Sequence, residues 1–318
     1  MASSITSSSS IACLSFVIVS FFQGLVVAGG VTFTFTNRCG GTVWPGVLAN
    51  SGSPPLDTTG FALASGEARS LAAPAGWSGR FWARTGCAFD GGSSGGKCAT
   101  GDCGSGEAEC HGAGATPPAT LVEFTLGDGK GKQDYYDVSL VDGYNVPVVV
   151  GAAGCPATGC LVDLNERCPP ELKATTSGQG CRSACEAFGR PEYCCSGDFG
   201  NPDTCHPSAY SQAFKAACPR AYSYAYDDAT STFTCSGSAA YSVTFCPRAA
   251  ATPSSLKSSN DPSLPRPGDV IDSAQVAADT WLASLAAGES DAVARTAVAS
   301  LVLQAALGAA VMSLLVSC

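Results

Sequence analysis

Residues 96–104 read Gly-Lys-Cys-Ala-Thr-Gly-Asp-Cys-Gly, and this short segment is the strongest indication of the architecture. It carries no large apolar side chain, so burial cannot hold it in place and a covalent tie is needed. Cys98 and Cys103 could bind zinc in principle, but the 318-residue chain has only two histidines, His111 and His206. With 18 cysteines behind a hydrophobic N-terminal run, disulfides in an oxidising compartment are favoured, and no metal or other cofactor is expected.

The N-terminus has the pattern of a secretory signal. An apolar run over residues 11–27 is followed by small residues ending at Ala28. This pattern predicts a signal peptide over residues 1–28, and cleavage after Ala28 would remove Cys13. A retained membrane anchor is the alternative, but the run is short for a bilayer span.

The C-terminus has the pattern of a lipid-anchor signal. Residues 250–290 are rich in Pro and Ser and predict a stalk, whereas residues 291–318 end in a small, apolar run. Small residues at Gly288 and Ser290 suit GPI attachment, and removal of the tail would also remove Cys318. A single membrane span and a secreted chain without an anchor are the alternatives. Sixteen cysteines then remain, from Cys39 to Cys246, which is an even number suited to eight disulfides.

The charge balance excludes one class of partner. The net charge is −9 and the isoelectric point is about 4.6, whereas a nucleic-acid-binding protein needs a positive field. A hydrophobic content of 45% argues against disorder. We therefore expect a folded acidic domain, a monomer, that does not bind nucleic acid.

Alternating polarity between residues 31 and 245 predicts a mainly β fold. Turn signals such as 127–129 and 142–143 separate the apolar runs, and this arrangement favours an antiparallel sandwich or barrel. The predicted strands cover residues 31–36, 80–84, 121–126, 135–141, 146–150, 230–235 and 241–245. Two helices are predicted, one over residues 180–188 with Cys181 and Cys185 on one face, and one over residues 208–217.

These motifs resemble those of the thaumatin-like proteins, a family of plant defence proteins. The matching blocks are residues 81–87 (Phe-Trp-Ala-Arg-Thr-Gly-Cys), 96–104, 142–147 (Asp-Gly-Tyr-Asn-Val-Pro), 192–195 (Glu-Tyr-Cys-Cys) and 221–235. One position departs from the family pattern, since Ser94 stands where a Gly is usual. The resemblance covers residues 31–247, and it points to the GPI-anchored subtype when the C-terminal extension is included.

The resemblance implies a three-part domain over residues 29–249. An antiparallel β-sandwich core would be formed by residues 29–84, 118–158 and 218–248. A disulfide loop lobe would cover residues 85–117, and a helix-containing disulfide lobe would cover residues 159–217. The implied pairs are Cys39–Cys246, Cys87–Cys98, Cys103–Cys110, Cys155–Cys235, Cys160–Cys218, Cys168–Cys181, Cys185–Cys194 and Cys195–Cys205.

The resemblance also implies an acidic cleft between the sandwich and the helical lobe. By motif, the cleft residues would be Arg80, Glu123, Asp137, Asp142 and Asp227, with Asp228 as the alternative for the last position. Strand alternation alone would place Asp137 and Asp142 on opposite faces, so they converge only if the chain turns near residues 142–143.

The implied ligand is a β-1,3-glucan-type polysaccharide. Ionised carboxylates accept hydrogen bonds from sugar hydroxyls, and the aromatic rings of Tyr135, Tyr136 and Tyr144 could stack on sugar rings. The expected role is defence at the outer face of the plasma membrane. Weak endo-β-1,3-glucanase activity, with Glu123 as acid and Asp142 or Asp137 as its partner, is one alternative. A membrane-permeabilising antifungal protein is the other.

Overall fold

The computed structural model describes residues 30–89, 95–174, 179–238 and 240–247. Two five-stranded sheets lie over one hydrophobic core and form a sandwich, as expected. In sequence order the strands are β1 (Gly30–Asn37), β2 (Val43–Ala49), β3 (Ala68–Pro74), β4 (Ser78–Thr85), β5 (Leu121–Thr125), β6 (Asp134–Ser139), β7 (Val148–Ala152), β8 (Cys155–Cys160), β9 (Phe233–Cys235) and β10 (Ala240–Phe245). The first sheet has the order β3-β1-β10-β7-β8 and the second has β2-β4-β5-β6-β9.

Aromatic rings fill the space between the sheets. Phe33 on β1 contacts Phe81 on β4 and Phe124 on β5, with ring centroids 4.9 and 4.7 Å apart in edge-on geometry. Each of these rings is almost fully buried. The alternation of β1 places Phe33 and Phe35 inward, which is why this strand was recognisable from the sequence.

The sandwich differs from a purely antiparallel one at a single described pairing. Strands β1 and β10 run parallel, with Phe33 opposite Tyr241 and Phe35 opposite Val243. Strands β2, β3 and β8 were not predicted. Pro45 and Gly46 interrupt the β2 pattern, and Pro is tolerated there because β2 lies at a sheet edge.

The helices are short and lie between residues 170 and 231. They are α1 (Ala184–Phe188), α2 (Pro191–Cys194), α3 (Ala209–Ala217) and α4 (Asp228–Ser231), with 3-10 turns at Pro170–Leu172 and Gly197–Phe199. Helix α3 agrees with the predicted helix over 208–217, because Ser208 caps its N-terminus through Ser211 N–H.

The predicted helix over 180–188 was wrong in its first turn. Cys181 lies in an extended bridge with Tyr144, and α1 begins only after Ser183, whose hydroxyl accepts from Glu186 N–H. Cys181 and Cys185 therefore do not share a helical face. The predicted strand over 230–235 was also too long, because α4 occupies its first half.

All eight implied disulfides are present. Cys39–Cys246 joins the segment after β1 to the residue after β10 across 207 positions. In the chain-entropy view such a long loop stabilises the fold by about 5 kcal/mol. Among the described residues, every helix is too short or too polar to span a bilayer.

Three rows of residues cross the outer face of the second sheet and position the site. The first row contains Trp82, Leu121 and Ser139, in direct register. Trp82 is fully buried there with Cys103 and Cys110, so the loop lobe covers this end of the sheet. The next two rows are not covered in this way.

Buried Arg84 holds the loop lobe in place. Its guanidinium donates to the Trp44 and Glu107 carbonyl oxygens at 3.0 Å each, and also to the Ala108 carbonyl. Desolvation lowers the pKa of Arg84, and the nearby carboxylates of Asp102 and Glu109 oppose this effect.

Candidate functional site

Three of the predicted site residues form the second row across the sheet. Arg80 on β4 lies opposite Glu123 on β5, and Glu123 lies opposite Asp137 on β6. The Arg80 Nη2 to Glu123 Oε1 distance is 3.5 Å. Directly opposed side chains on neighbouring strands have Cβ atoms about 5 Å apart. Strand register thus brings together three residues that are spread over 57 positions of the sequence, from Arg80 to Asp137.

Asp142 and Asp228 complete the wall of this site. Both line an open cavity of about 340 Å³ together with the row of Arg80, Glu123 and Asp137. Asp142 reaches the cavity because the chain turns at Gly143, whose φ is +81° and whose N–H donates to the Leu140 carbonyl. Asp137 and Asp142 were expected to converge only if the chain turns near residues 142–143, and this turn is present. We call this set of five residues the acidic cleft.

The fifth position of the acidic cleft is Asp228, not Asp227. Asp227 turns away from the cavity and forms an ion pair with Lys215 on α3, with Nζ to Oδ2 at 2.9 Å. The same oxygen accepts from the backbone N–H and the hydroxyl of Ser223. Asp228 starts α4, and its Oδ1 accepts from the Tyr222 hydroxyl at 2.8 Å. Asp227 holds the loop, whereas Asp228 faces the cavity.

The surroundings of Asp137 and Glu123 favour the protonated form of these two acids. Burial, reinforced by the charges of Glu123 and Asp228, raises the pKa of Asp137 to about 8 although Arg80 opposes the shift. Burial also raises the pKa of Glu123, with Arg80 lowering it and Asp142 raising it. Asp137 Oδ1 and Arg80 Nε are buried atoms without a hydrogen-bond partner among the described residues. Both side chains line the cavity through their other polar atoms.

Glu186 on α1 is an additional acid that the sequence analysis missed. Burial and the neighbouring Asp142 raise the pKa of Glu186 to about 7, while Arg182 lowers it. Its Oε2 is buried and has no hydrogen-bond partner among the described residues. The sequence did contain a signal, since Ser183 and Glu186 have the spacing of a capping box. That signal identifies a helix start but does not show that the carboxyl approaches Asp142.

Only one of the three candidate stacking tyrosines is exposed. Tyr136 and Tyr144 are buried, and their hydroxyls donate to the carbonyl oxygens of Pro156 and Val162. They belong to the core, so the expectation that they stack on sugar was wrong. Tyr135 is 49% exposed on the outer face of the second sheet. Successive residues along a strand point to opposite faces of the sheet, so Tyr135 and Tyr136 lie on different faces.

The site presents hydrogen-bonding and proton-transfer groups rather than a metal centre. Within the described ranges, no group of three or more His, Cys, Asp or Glu side chains could hold a metal ion. Carboxyls of raised pKa beside an ionic partner can donate as well as accept hydrogen bonds. The predicted attachment residues Gly288 and Ser290 lie outside the described residues.

Comparison with known proteins identifies the family. The model of the Thaumatin family matches residues 37–247. The chain belongs to the thaumatin family. "Thaumatin-like protein 1" of Arabidopsis thaliana is 60% identical over 245 residues, covering 73% of this chain and 94% of that protein. "Pathogenesis-related thaumatin-like protein 3.5" of Cryptomeria japonica is 58% identical over 226 residues, covering 69% of this chain and 91% of that protein.

One solved structure also aligns with this chain, at lower sequence identity. The thaumatin-like xylanase inhibitor TLXI aligns over 68% of this chain and 99% of its own, with 24% identity and a TM-score of 0.39. The family assignment rests on the family model, which matches residues 37–247, and on the sequence relatives.

Proposed function

We propose that this thaumatin-family protein binds β-1,3-glucan-type polysaccharide in its acidic cleft and serves in plant defence at the cell surface. The observation that carries the proposal is the row of Arg80, Glu123 and Asp137, which lies open at the base of a cavity of about 340 Å³. A cavity of this size falls within the range of small-ligand sites. The relatives named pathogenesis-related support the defence role.

The cleft chemistry suits an uncharged, hydroxyl-rich ligand. A polyanion would meet four carboxyls against one arginine, whereas a neutral glucan carries both donors and acceptors. Asp137 Oδ1 and Arg80 Nε are closed off from solvent, so a ligand meets the other polar atoms of these two side chains, which line the cavity. Arg80 supplies donors there, and the four carboxyl groups supply acceptors.

Retention on insoluble β-1,3-glucan tests the proposal. The double variant Asp137→Ala, Asp142→Ala is expected to lose retention because it removes two hydrogen-bonding carboxyl groups from the cleft. The double variant Asp57→Ala, Asp203→Ala removes two carboxyl groups at exposed positions outside the cleft and is the matched control. Equal retention of the wild type and the cleft variant would remove the cleft from the binding surface.

Weak hydrolysis of the same glucan is the second candidate, and the raised pKa of Asp137, about 8, favours it. A glycosidase needs one carboxylic acid that stays protonated to donate to the leaving oxygen. Asp137 fits this role better than Glu123, because at Asp137 the charge of Glu123 raises the pKa more than Arg80 lowers it, whereas at Glu123 the lowering by Arg80 is the larger charge effect. Release of reducing ends from a soluble β-1,3-glucan should disappear in Asp137→Asn; the absence of release by the wild type between about pH 4 and 7 would reject hydrolysis.

We also propose that the protein is anchored by GPI at the outer face of the plasma membrane, through Gly288 or Ser290. The proposal is supported by the Pro- and Ser-rich stalk and the uncharged C-terminal run in the sequence. Phosphatidylinositol-specific phospholipase C should release the protein from membranes. Retention after this treatment would indicate a membrane span instead.

A further inference from the structure

A second cavity lies beyond the acidic cleft at the same face of the sheet. Its volume is about 440 Å³, and its lining includes Thr125 on β5 and Tyr135 on β6. The acidic cleft is lined by Glu123 and Asp137, which come two positions away on the same two strands. The two cavities are therefore neighbours along β5 and β6.

Strand register fixes the spacing between the two cavities. Thr125 lies opposite Tyr135, as Glu123 lies opposite Asp137. Two residues along a strand span about 7 Å, and positions two apart share a face. Tyr135 thus stands on the outer face about 7 Å from Asp137, at the end of the sheet that the loop lobe leaves uncovered.

The side chains around Tyr135 suit a sugar ring. Tyr135 is 49% exposed, and with Phe188 it is one of two large hydrophobic side chains exposed in the described part of the chain. Asp128 and Lys132 line the cavity and form an ion pair at 3.1 Å, so both acceptor and donor groups lie beside the aromatic ring. An aromatic face with polar groups at its edge binds pyranose rings through their C–H faces and hydroxyls.

We propose that the cavity at Tyr135 is a second subsite, which holds a further glucosyl unit of the same chain whose neighbouring units occupy the acidic cleft. This inference rests on the proposed function, because the occupant is a continuation of the cleft ligand. The subsite adds no affinity for a ligand that fills only the cleft. The protein consequently binds longer glucans more tightly than short ones.

Affinity measured against oligosaccharide length tests the subsite. β-1,3-Linked glucose oligomers of two and of six units are titrated calorimetrically into the mature protein, purified from an oxidising secretory route. The wild type should bind the hexamer about tenfold more tightly than the dimer. Tyr135→Ala should abolish this preference and leave dimer affinity unchanged, whereas Tyr135→Phe should retain it because the ring face remains. Phe188→Ala removes the other exposed ring, on the helical lobe, and should behave as wild type.

The outcomes separate this inference from the proposed function. Equal hexamer affinity in wild type and Tyr135→Ala would overturn the subsite, and the cleft proposal would survive if the double variant Asp137→Ala, Asp142→Ala still lost binding of both oligomers. Loss of dimer and hexamer binding alike in Tyr135→Ala would also overturn it, since Tyr135 would then belong to the cleft itself. No binding of either oligomer by the wild type would overturn both proposals.

Discussion

The raised pKa of Asp137 predicts that the protein becomes less stable as the pH rises. An acid whose pKa is higher in the folded than in the unfolded state keeps its proton longer when folded. Its contribution to stability is complete below the unfolded pKa, near 3.8, and is lost progressively until the pH passes the folded pKa of about 8. Between these limits the free energy of unfolding therefore falls with pH.

The size of the effect follows from the same shift. A rise in the pKa of Asp137 from 3.8 to about 8 corresponds to about 6 kcal/mol if fully expressed. Water enters the open cavity and screens the interaction, which reduces the effect to about 2–3 kcal/mol. Asp137→Asn is a neutral replacement of nearly equal shape, and it should remove this part of the pH dependence.

Urea unfolding at pH 4.5 and pH 8, with the disulfides intact, measures the difference. The wild type should lose about 2–3 kcal/mol more than Asp137→Asn over this interval. The free energy of unfolding of the variant still falls with pH, since burial also raises the pKa of Glu123 and of Glu186. Asp203→Asn, at an exposed position, should keep the wild-type slope. If Asp137→Asn kept the full slope, or if the wild type were more stable at pH 8 than at pH 4.5, the reasoning would be refuted.

Two further substitutions test the supports of the site. Lys215→Met leaves the largely buried Asp227 carboxylate without its cation. The free energy of unfolding, measured in urea, should fall by about 3 kcal/mol. Adding Asp227→Asn to this variant should restore part of the lost free energy, because the uncompensated charge is then removed. A loss unchanged by the second substitution would contradict this pairing. Gly46→Ala places a Cβ against the ring of Trp82 and should cost about 1–3 kcal/mol, whereas Gly40→Ala, with open space around it, should cost little. Equal stability of both glycine variants would show that the Trp82 ring can move.

The sequence predicted strands β4, β5 and β6 better than it predicted that Arg80, Glu123 and Asp137 form one row across them. Alternation predicted the strands over residues 121–126 and 135–141 that carry Glu123 and Asp137, and in the structure Val122 and Val138 take the inward positions beside them. It could not show that these acids lie opposite each other, since register depends on where each strand ends and turns. The resemblance to a family supplied that juxtaposition, along with the disulfide pairing.

The predictions failed where local pattern competes with long-range contacts. Tyr135 and Tyr136 are adjacent and chemically identical, and the alternation that places Val138 inward also places Tyr136 inward, where it packs against core rings such as Phe124. Asp227 and Asp228 are likewise adjacent and identical. The position of Lys215 on α3 decides which of them is held in the loop. The neighbouring residues alone do not distinguish these two aspartates.

The covalent framework explains how the fifth carboxyl is kept in the cleft against repulsion. Asp228 lies in a segment bounded by Cys218 and Cys235, and both cysteines pair with strand β8, through Cys160 and Cys155. The segment is therefore fixed at both ends to one strand of the first sheet, while the Lys215–Asp227 ion pair fixes it in the middle. Carboxyls that would otherwise move apart are held together before any ligand arrives. Because the scaffold has already met the cost of ordering them, little further ordering entropy is lost when a polysaccharide binds.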